Sequence, residues 1–152
     1  MTITIGKPDD RTLTMSRTFA APRDLVWAAS TQAEHLRHWW GRGNPLDVEI
    51  DFTVGGKWRF VEHADGAEHA FRGEIREIDP PNGFTWTFEY EPMLGHIVLE
   101  KYEFTEHAGQ TTVHVTSTFD SVEDRDTMLE SGMEDGAEQS YRALDAYLLK
   151  LA

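Results

Sequence analysis

The sequence predicts an α+β fold in which an antiparallel sheet of about seven strands wraps around a long C-terminal helix. Apolar and polar residues alternate in short segments between Arg11 and Phe119, which is the period of half-buried strands. Apolar or small residues then recur at steps of three and four from Leu129 to Leu151, the spacing of one helix face. Two helix-start signals after the first strand predict two short helices. A twisted sheet with one apolar face closes by packing around such a helix.

The N-terminal part predicts one strand followed by the two short helices. Residues 11–19 alternate in strand fashion, whereas residues 1–10 are polar and are expected to fray or pair loosely. Pro22 opens the first helix, because proline fits the first helical turn. Residues 31–34 (TQAE) form a capping box that begins the second helix, which is expected to end near Gly41.

Six further strands are predicted in hairpin succession, which implies antiparallel pairing. The turn Asp65-Gly66 is a two-residue hairpin signal, and it places Glu62 opposite His69. The six strands are expected at residues 46–50, 57–63, 68–78, 84–90, 98–104 and 113–119.

The C-terminal helix is predicted to begin near Val122, after a capping box that starts at Ser121, and to span roughly 40 Å. Its apolar face includes the small residues Gly132, Gly136 and Ala137. These positions either let the helix and the sheet approach closely or leave space between them.

Composition narrows the function classes. The chain has 152 residues, for which a single domain over residues 1–152 is expected. The net charge of −13 argues against a nucleic-acid or anionic-membrane surface. The chain has no Cys, which excludes disulfides and thiolate sites. A cytoplasmic protein without membrane insertion is expected, because the sequence shows neither a secretory signal nor an apolar run of transmembrane length.

Several local motifs follow one another in order along residues 11–150. They are FAAPRDLVW at 19–27, HWWG at 38–41, DFTVGGKW at 51–58, DG at 65–66, GEI at 73–75 running to DPP at 79–81, and the helix glycines Gly132 and Gly136. In order and spacing these motifs resemble the SRPBCC superfamily, the START and birch-pollen-allergen-like helix-grip fold. They are most similar to its branch of proteins like the activator of the 90-kDa heat-shock-protein ATPase.

The resemblance implies a central cavity between the sheet and the C-terminal helix, without naming its occupant. The superfamily includes lipid and hormone carriers as well as polyketide cyclases and aromatases. The eukaryotic chaperone activators carry an additional N-terminal domain, so the branch name by itself predicts no chaperone activity here. Many relatives have Gly-Trp where this sequence has Gly136-Ala137. This departure removes a bulky aromatic residue from a position that borders the expected cavity.

The first functional hypothesis is the binding of a small hydrophobic molecule, lipid-like or aromatic. The inward-facing aromatic residues either line a pocket or fill it, since pockets and cores share this composition. The predicted ligand-binding residues are Trp40, Trp58, Phe60, Phe71, Trp86, Phe88, Glu100, Tyr102, Met133, Ala137 and Tyr141. The adjacent Trp39 and Trp40 cannot both be buried on one helix face. One of them is therefore expected to meet solvent or a partner, unless both cap the open end of the core.

Glu100 is the acid of greatest interest, because it shares a predicted strand face with Tyr102 and so points inward. Desolvation raises the pKa of such a carboxyl unless a cation or hydrogen-bond donors compensate. Glu100 is therefore the catalytic candidate and the group expected to orient a ligand. The alternatives are exposure to solvent, or a structural ion pair with Arg17 or Arg59. Glu62 raises the same question nearer an edge of the sheet.

The seven histidines do not predict a metal site. His35 and His38 lie three residues apart on a helix, while His63 and His69 flank a hairpin, so the two pairs belong to different elements. Zinc requires three or four converging ligands, and no ligand motif is present. The sequence predicts no metal and no cofactor.

Three function classes stay open at this point. The sequence favours a binding protein over an enzyme of the cyclase or hydrolase kind that uses Glu100 or a tyrosine as acid or base. A chaperone-associated or stress-response module, acting through its acidic surface, is the third. The expected partner is a small hydrophobic molecule and not a nucleic acid; the sequence does not decide between a monomer and a homodimer.

Overall fold

The computed structural model describes residues 2–152; Met1, which belongs to the predicted domain and to the predicted loose segment, lies outside the described residues. The strands are β1 (Thr4–Asp9), β2 (Thr12–Phe19), β3 (Leu46–Ile50), β4 (Lys57–Ala64), β5 (Ala67–Asp79), β6 (Gly83–Tyr90), β7 (Val98–His107) and β8 (Gln110–Thr118). The helices are α1 (Arg23–Thr31), α2 (Ala33–Leu36), α3 (Val122–Glu130) and α4 (Met133–Leu151). A short 3₁₀ turn, Glu91–Met93, follows β6.

The strands form one antiparallel sheet in the order β1-β2-β8-β7-β6-β5-β4-β3. The α+β helix-grip fold predicted from the sequence is confirmed. The sheet has eight strands among the described residues, where about seven were predicted, because Thr4–Asp9 pairs with β2, with Ile5 opposite Met15. After β2 the chain crosses to the opposite edge of the sheet through α1 and α2, and hairpins bring it back strand by strand.

The hairpin between β4 and β5 has the predicted register. Asp65 and Gly66 both have positive φ, 54° and 75°. Such a turn matches the twist of the flanking strands, and glycine and aspartate adopt it readily. Glu62 pairs with His69 in the register. A two-residue turn therefore fixed which side chains of β4 face the interior.

The C-terminal stretch differs from the prediction of one continuous helix beginning near Val122. It forms two helices, because Gly132 adopts a left-handed conformation with φ of 84° between the end of α3 at Glu130 and the start of α4 at Met133. The predicted start is present, with the Asp124 backbone N–H donating to Ser121 Oγ at 3.1 Å. The 19 residues of α4 span roughly 28 Å at the usual helical rise.

The core lies between α4, α1 and the central strands. Trp58, Phe60 and Ile75 from the sheet are fully buried, as is Leu144 on α4. Arg17 of β2 is also buried, and its guanidinium donates to Asp145 of α4 at 2.9 and 2.7 Å. This two-point pair fixes α4 across one end of the sheet.

The described helices include none that combines the length and the apolar character needed to cross a membrane.

Candidate functional site: a cavity between sheet and helix

A cavity of about 530 Å³ lies between the inner face of the sheet and α4. This volume falls within the roughly 300–1,000 Å³ that small-molecule sites occupy. The walls are mostly apolar and aromatic. The sheet contributes Phe71, Phe84, Trp86, Phe88, Val98, Tyr102 and Val113, and α4 contributes Met133, Gly136, Ala137, Tyr141 and Leu144.

The small residues of α4 leave space between helix and sheet. Gly136 and Ala137 both line the cavity, and a Cβ at Gly136 would meet only Arg42 Cδ, at 3.8 Å. Of the two interpretations that the sequence left open, space between helix and sheet is therefore the one found at these positions.

Most of the residues predicted to bind a ligand lie around the cavity. Those that line it are Trp40, Phe71, Trp86, Phe88, Glu100, Tyr102, Met133, Ala137 and Tyr141. They come from the α2–β3 connection, β5, β6, β7 and α4. Whether they contact a ligand stays a prediction.

Trp58 and Phe60 depart from the prediction, because they do not line the cavity. Trp58 is 2% exposed and Phe60 is 0% exposed. The Trp58 ring stacks on Trp86 at 4.3 Å, and its Nε1 donates to the Thr87 carbonyl oxygen at 3.1 Å. Their position on β4, behind Trp86, makes these two residues part of the closed core.

The two adjacent tryptophans after α2 have different environments. Trp39 is buried, with its Nε1 donating to the Ala29 carbonyl oxygen at 2.9 Å. Trp40 is half-buried and packs edge-on against Phe60 and Phe71, with centroid separations of 5.0 and 5.1 Å. Trp40 thus keeps part of its surface at the cavity wall.

Glu100 is the polar centre of the cavity wall. Its Oε1 accepts hydrogen bonds from Trp86 Nε1 at 2.9 Å and from the Tyr102 hydroxyl at 3.2 Å. Its Oε2 accepts a longer one from Ser117 Oγ at 3.4 Å. These donors lie on β6, β7 and β8, so three adjacent strands hold the carboxylate in place.

The surroundings of Glu100 favour retention of its proton. Burial raises the pKa of Glu100, and the hydrogen bonds from Trp86, Tyr102 and Ser117 only partly offset this effect. Burial raises the pKa of Tyr102 well above its ordinary value, and burial together with the nearby Glu100 also raises the pKa of Tyr141 above the ordinary range of tyrosine. Both tyrosines therefore present neutral hydroxyls near the carboxyl group.

The two alternatives considered for Glu100 are not found. Glu100 faces the cavity and not the outer solvent. Arg17 binds Asp145 and lies 3.3 Å from Glu138 Oε2, and Arg59 pairs with Glu91 at 2.6 Å on the outer surface. The hydrogen-bonding partners that hold Glu100 are neutral side chains.

Glu62 forms a second polar position of the cavity wall. It is 4% exposed, and its Oε2 accepts hydrogen bonds from Arg42 Nε and Asn44 Nδ2, each at 2.9 Å. The Arg42 backbone N–H also donates to Ser140 Oγ of α4 at 2.8 Å. The Arg42 guanidinium therefore neutralises this carboxylate on β4, while the Arg42 backbone joins the α2–β3 connection to α4.

One end of the cavity reaches the protein surface. The residues there come from the β6–β7 connection and the α3–α4 junction, and they are exposed or half-buried. They are Met93, His96, Asp124, Thr127, Met128, Ser131 and Gly132. His96 Nδ1 lies 2.9 Å from Asp124 Oδ1, which links the two sides of this mouth.

Several cavity residues were missed by the sequence analysis. Met15 of β2 and Phe119, directly after β8, line the cavity although neither was singled out. Their inward parity on alternating strands was a usable signal. Arg42 was not detectable, because it lies in an irregular connection and has a positive φ of 62°.

The histidines of the β4–β5 hairpin contact different side chains. His63 Nε2 lies 2.8 Å from Asp47 Oδ2, while His69 Nδ1 lies 3.0 Å from the Tyr90 hydroxyl. The Asp47 hydrogen bond raises the pKa of His63. Within residues 2–152, His, Asp and Glu side chains form no group of three or more that could hold a metal ion.

A known protein family matches most of this chain. The family model described as Activator of Hsp90 ATPase homolog 1-like protein matches residues 20–149. No curated protein matches the sequence.

Solved structures share the whole fold. A crystal structure of a protein from Rhodobacter sphaeroides has a TM-score of 0.90 at 27% identity, covering 99% of this chain and 99% of that chain. Protein Ms6760 from Mycobacterium smegmatis gives a TM-score of 0.86 at 29% identity, again with 99% of both chains covered. A solution structure of a protein from Arthrobacter aurescens, 24% identical, has a TM-score of 0.88 over 99% of this chain and 93% of that chain. The last similarity concerns the fold alone.

Proposed function

This chain belongs to the Activator of Hsp90 ATPase homolog 1-like family, and we propose that it binds a small hydrophobic molecule, aromatic or lipid-like, in the cavity between the sheet and α4. The observation that carries the proposal is the combination of an aromatic cavity of about 530 Å³ with a carboxyl group held inside it. Binding sites for small molecules have this composition, mostly apolar with a few placed polar groups.

The partial exposure of the aromatic residues in the cavity wall supports the proposal. Phe71, Phe88 and Tyr102 belong to interior strands, yet each is only half-buried, because each borders the cavity. An apolar ligand would cover this surface, at roughly 25 cal/mol for each Å² removed from water. Edge-to-face contacts with these rings would add to that gain.

Glu100 supplies orientation in this proposal. Its carboxyl group is fixed by the Trp86, Tyr102 and Ser117 hydrogen bonds, so it needs little rearrangement to receive a polar ligand group. A ligand group placed there is held deep in the cavity, while the apolar body lies along Met133 and Ala137 of α4.

The test uses a substitution that fills the cavity. Ala137→Trp places a large ring inside it, whereas Ala146→Trp adds the same ring to an exposed position of α4. In a thermal-shift screen with lipids, flavonoids and aromatic acids, at least one compound should raise the melting temperature of the wild type and of Ala146→Trp. The same compound should have little effect on Ala137→Trp.

Two results would defeat the proposal. One is that no screened compound stabilises the wild type. The other is that Ala137→Trp responds to the compound as strongly as Ala146→Trp does, which would locate binding outside the cavity.

Catalysis by Glu100 is the second candidate function. The observation that favours it is the Tyr102 hydroxyl 3.2 Å from a desolvated carboxyl group with a raised pKa, an arrangement suited to general acid chemistry. Mass spectrometry of a ligand after incubation with the protein tests it. A chemical change that Glu100→Gln abolishes supports catalysis; recovery of every ligand unchanged argues for binding alone.

A further inference from the structure

We propose that the ligand is a cation, an aromatic or aliphatic amine whose ammonium group pairs with Glu100. This inference rests on the proposed binding function and adds the charge and chemical class of the ligand. The competing possibility is a neutral ligand, such as an alcohol with the same apolar body as the amine.

The first argument is the hydrogen-bonding capacity of Glu100. A carboxylate accepts about four hydrogen bonds. Trp86 and Tyr102 both donate to Oε1, whereas Oε2 has the single long bond from Ser117 at 3.4 Å. Oε2 is therefore the oxygen that can accept a further donor from the cavity.

The second argument is charge. The side chains that hold Glu100 are neutral: Trp86 on β6, Tyr102 on β7 and Ser117 on β8, with Tyr141 on α4 the nearby titratable group. Within residues 2–152 the ion pairs of the chain do not involve Glu100. Burial favours the protonated form of Glu100 in the empty cavity. A ligand ammonium group would supply the opposite charge that stabilises the carboxylate there, with the Glu100 proton released to solvent.

The third argument is the aromatic surface next to the carboxylate. Trp86 and Tyr102 meet edge-on with a centroid separation of 5.4 Å, and Phe84 stacks on Tyr102 at 4.6 Å. All three line the cavity. The faces of such rings attract ammonium groups, most strongly where water is excluded.

The remaining charges of the cavity also disfavour an anion. Arg42 is already paired with Glu62, and His96 at the mouth is paired with Asp124. The other histidine of the cavity wall, His69, contacts the Tyr90 hydroxyl. The net charge of −13 attracts cations toward the mouth.

Isothermal titration calorimetry at pH 7 with naphthylethylamine and naphthylethanol tests the inference. The two probes share one apolar body and differ in charge. Wild type should bind the amine at least about tenfold more tightly than the alcohol, the difference expected for a charge-assisted contact. Glu100→Gln should reduce that ratio to within about threefold of unity, because the loss of the carboxyl group weakens binding of the amine much more than binding of the alcohol.

Glu103→Gln is the matched control. It removes the same charge from the same strand, but Glu103 is exposed on the opposite face of β7. It should keep the wild-type ratio, and Ala137→Trp should weaken both probes. A control variant that loses the ratio would show that the general negative charge, and not Glu100, selects the amine.

The outcomes separate the two proposals. If the wild type binds the alcohol as tightly as the amine, the amine inference is wrong and the proposed function stands. If the wild type binds neither probe nor any compound of the thermal-shift screen, both are wrong. If circular dichroism shows that Glu100→Gln does not fold, the ratio of amine to alcohol affinity in the wild type and in Glu103→Gln still decides whether the cavity prefers an amine.

Discussion

The indole Nε1 of Trp86 donates a hydrogen bond of 2.9 Å to Oε1 of Glu100, the residue opposite it in the β6–β7 register. The Trp86 ring also stacks on Trp58, which belongs to the closed core. One side chain thus connects the packed core to the polar centre of the cavity. The position of the carboxyl group is consequently set by core packing as well as by its own strand.

Trp86→Phe should destabilise the protein by about 1–3 kcal/mol, because it removes a buried donor to a carboxylate and some packing volume. In a Glu100→Leu background that hydrogen bond no longer exists, so the same substitution should cost less. Urea unfolding of the four proteins measures the difference. Equal losses in the two backgrounds would show that Trp86 contributes packing alone.

The stability of the protein should depend on pH through Glu100. Burial raises the pKa of Glu100 in the folded state, so the folded protein keeps this proton at pH values at which the unfolded chain has lost it. The stabilising contribution is complete below the ordinary carboxyl pKa of about 4.3. It is lost as the pH rises through the folded-state value.

Glu100→Gln has no such proton to lose. The free energy of unfolding of the wild type relative to Glu100→Gln should therefore fall as the pH rises from about 4 toward neutrality. Chemical denaturation of both proteins across this range provides the measurement. A difference that is constant, or that rises with pH, would contradict the assignment of Glu100 as a carboxyl with a raised pKa.

Gly73→Ala should destabilise the protein by about 1–3 kcal/mol, the usual cost of overpacking. A Cβ at Gly73 would lie against the Thr87 carbonyl oxygen and Trp58 Nε1, the two partners of a core hydrogen bond. Gly136→Ala is the control, since that position has room and is helical, and it should stabilise by up to about 1 kcal/mol. Thermal unfolding that shows Gly73→Ala to be neutral would contradict this close approach.

Helix α3 should open more easily than α4. No residue of α3 is buried, whereas α4 buries Tyr141, Leu144 and Leu148. Amide hydrogen exchange should therefore show lower protection in α3. Because Thr127 and Met128 of α3 line the cavity, ligand binding should slow this exchange. Equal protection in both helices without ligand would contradict the difference in packing.

The fold was largely predictable, because period-two alternation and turn residues allow few strand registers in a sheet built of hairpins. The Asp65-Gly66 turn fixed the β4–β5 register. The inward direction of Glu100 followed from its parity with Tyr102, and both line the cavity. These features depend on local sequence, which is why the sequence alone identified them.

Other features depend on tertiary position. The apolar helix pattern continues through Gly132, so periodicity could not reveal the left-handed break at that residue. Parity also gave Trp58 and Trp86 the same inward direction. Only the placement of α4 over the sheet decides that Trp86 borders the cavity while Trp58 lies behind it.

Nuclear magnetic resonance of the tryptophan indole N–H groups during titration with naphthylethanol tests the central claim most directly. Trp40 and Trp86 line the cavity, whereas Trp27 does not line it and packs behind the wall residue Phe84, against Phe52 and Phe104. Binding in the cavity predicts saturable shifts of the Trp40 and Trp86 resonances, with Trp27 unchanged and with the shifts abolished in Ala137→Trp. Resonances of Trp40 and Trp86 that do not move up to the solubility limit of the probe would contradict a ligand site between the sheet and α4.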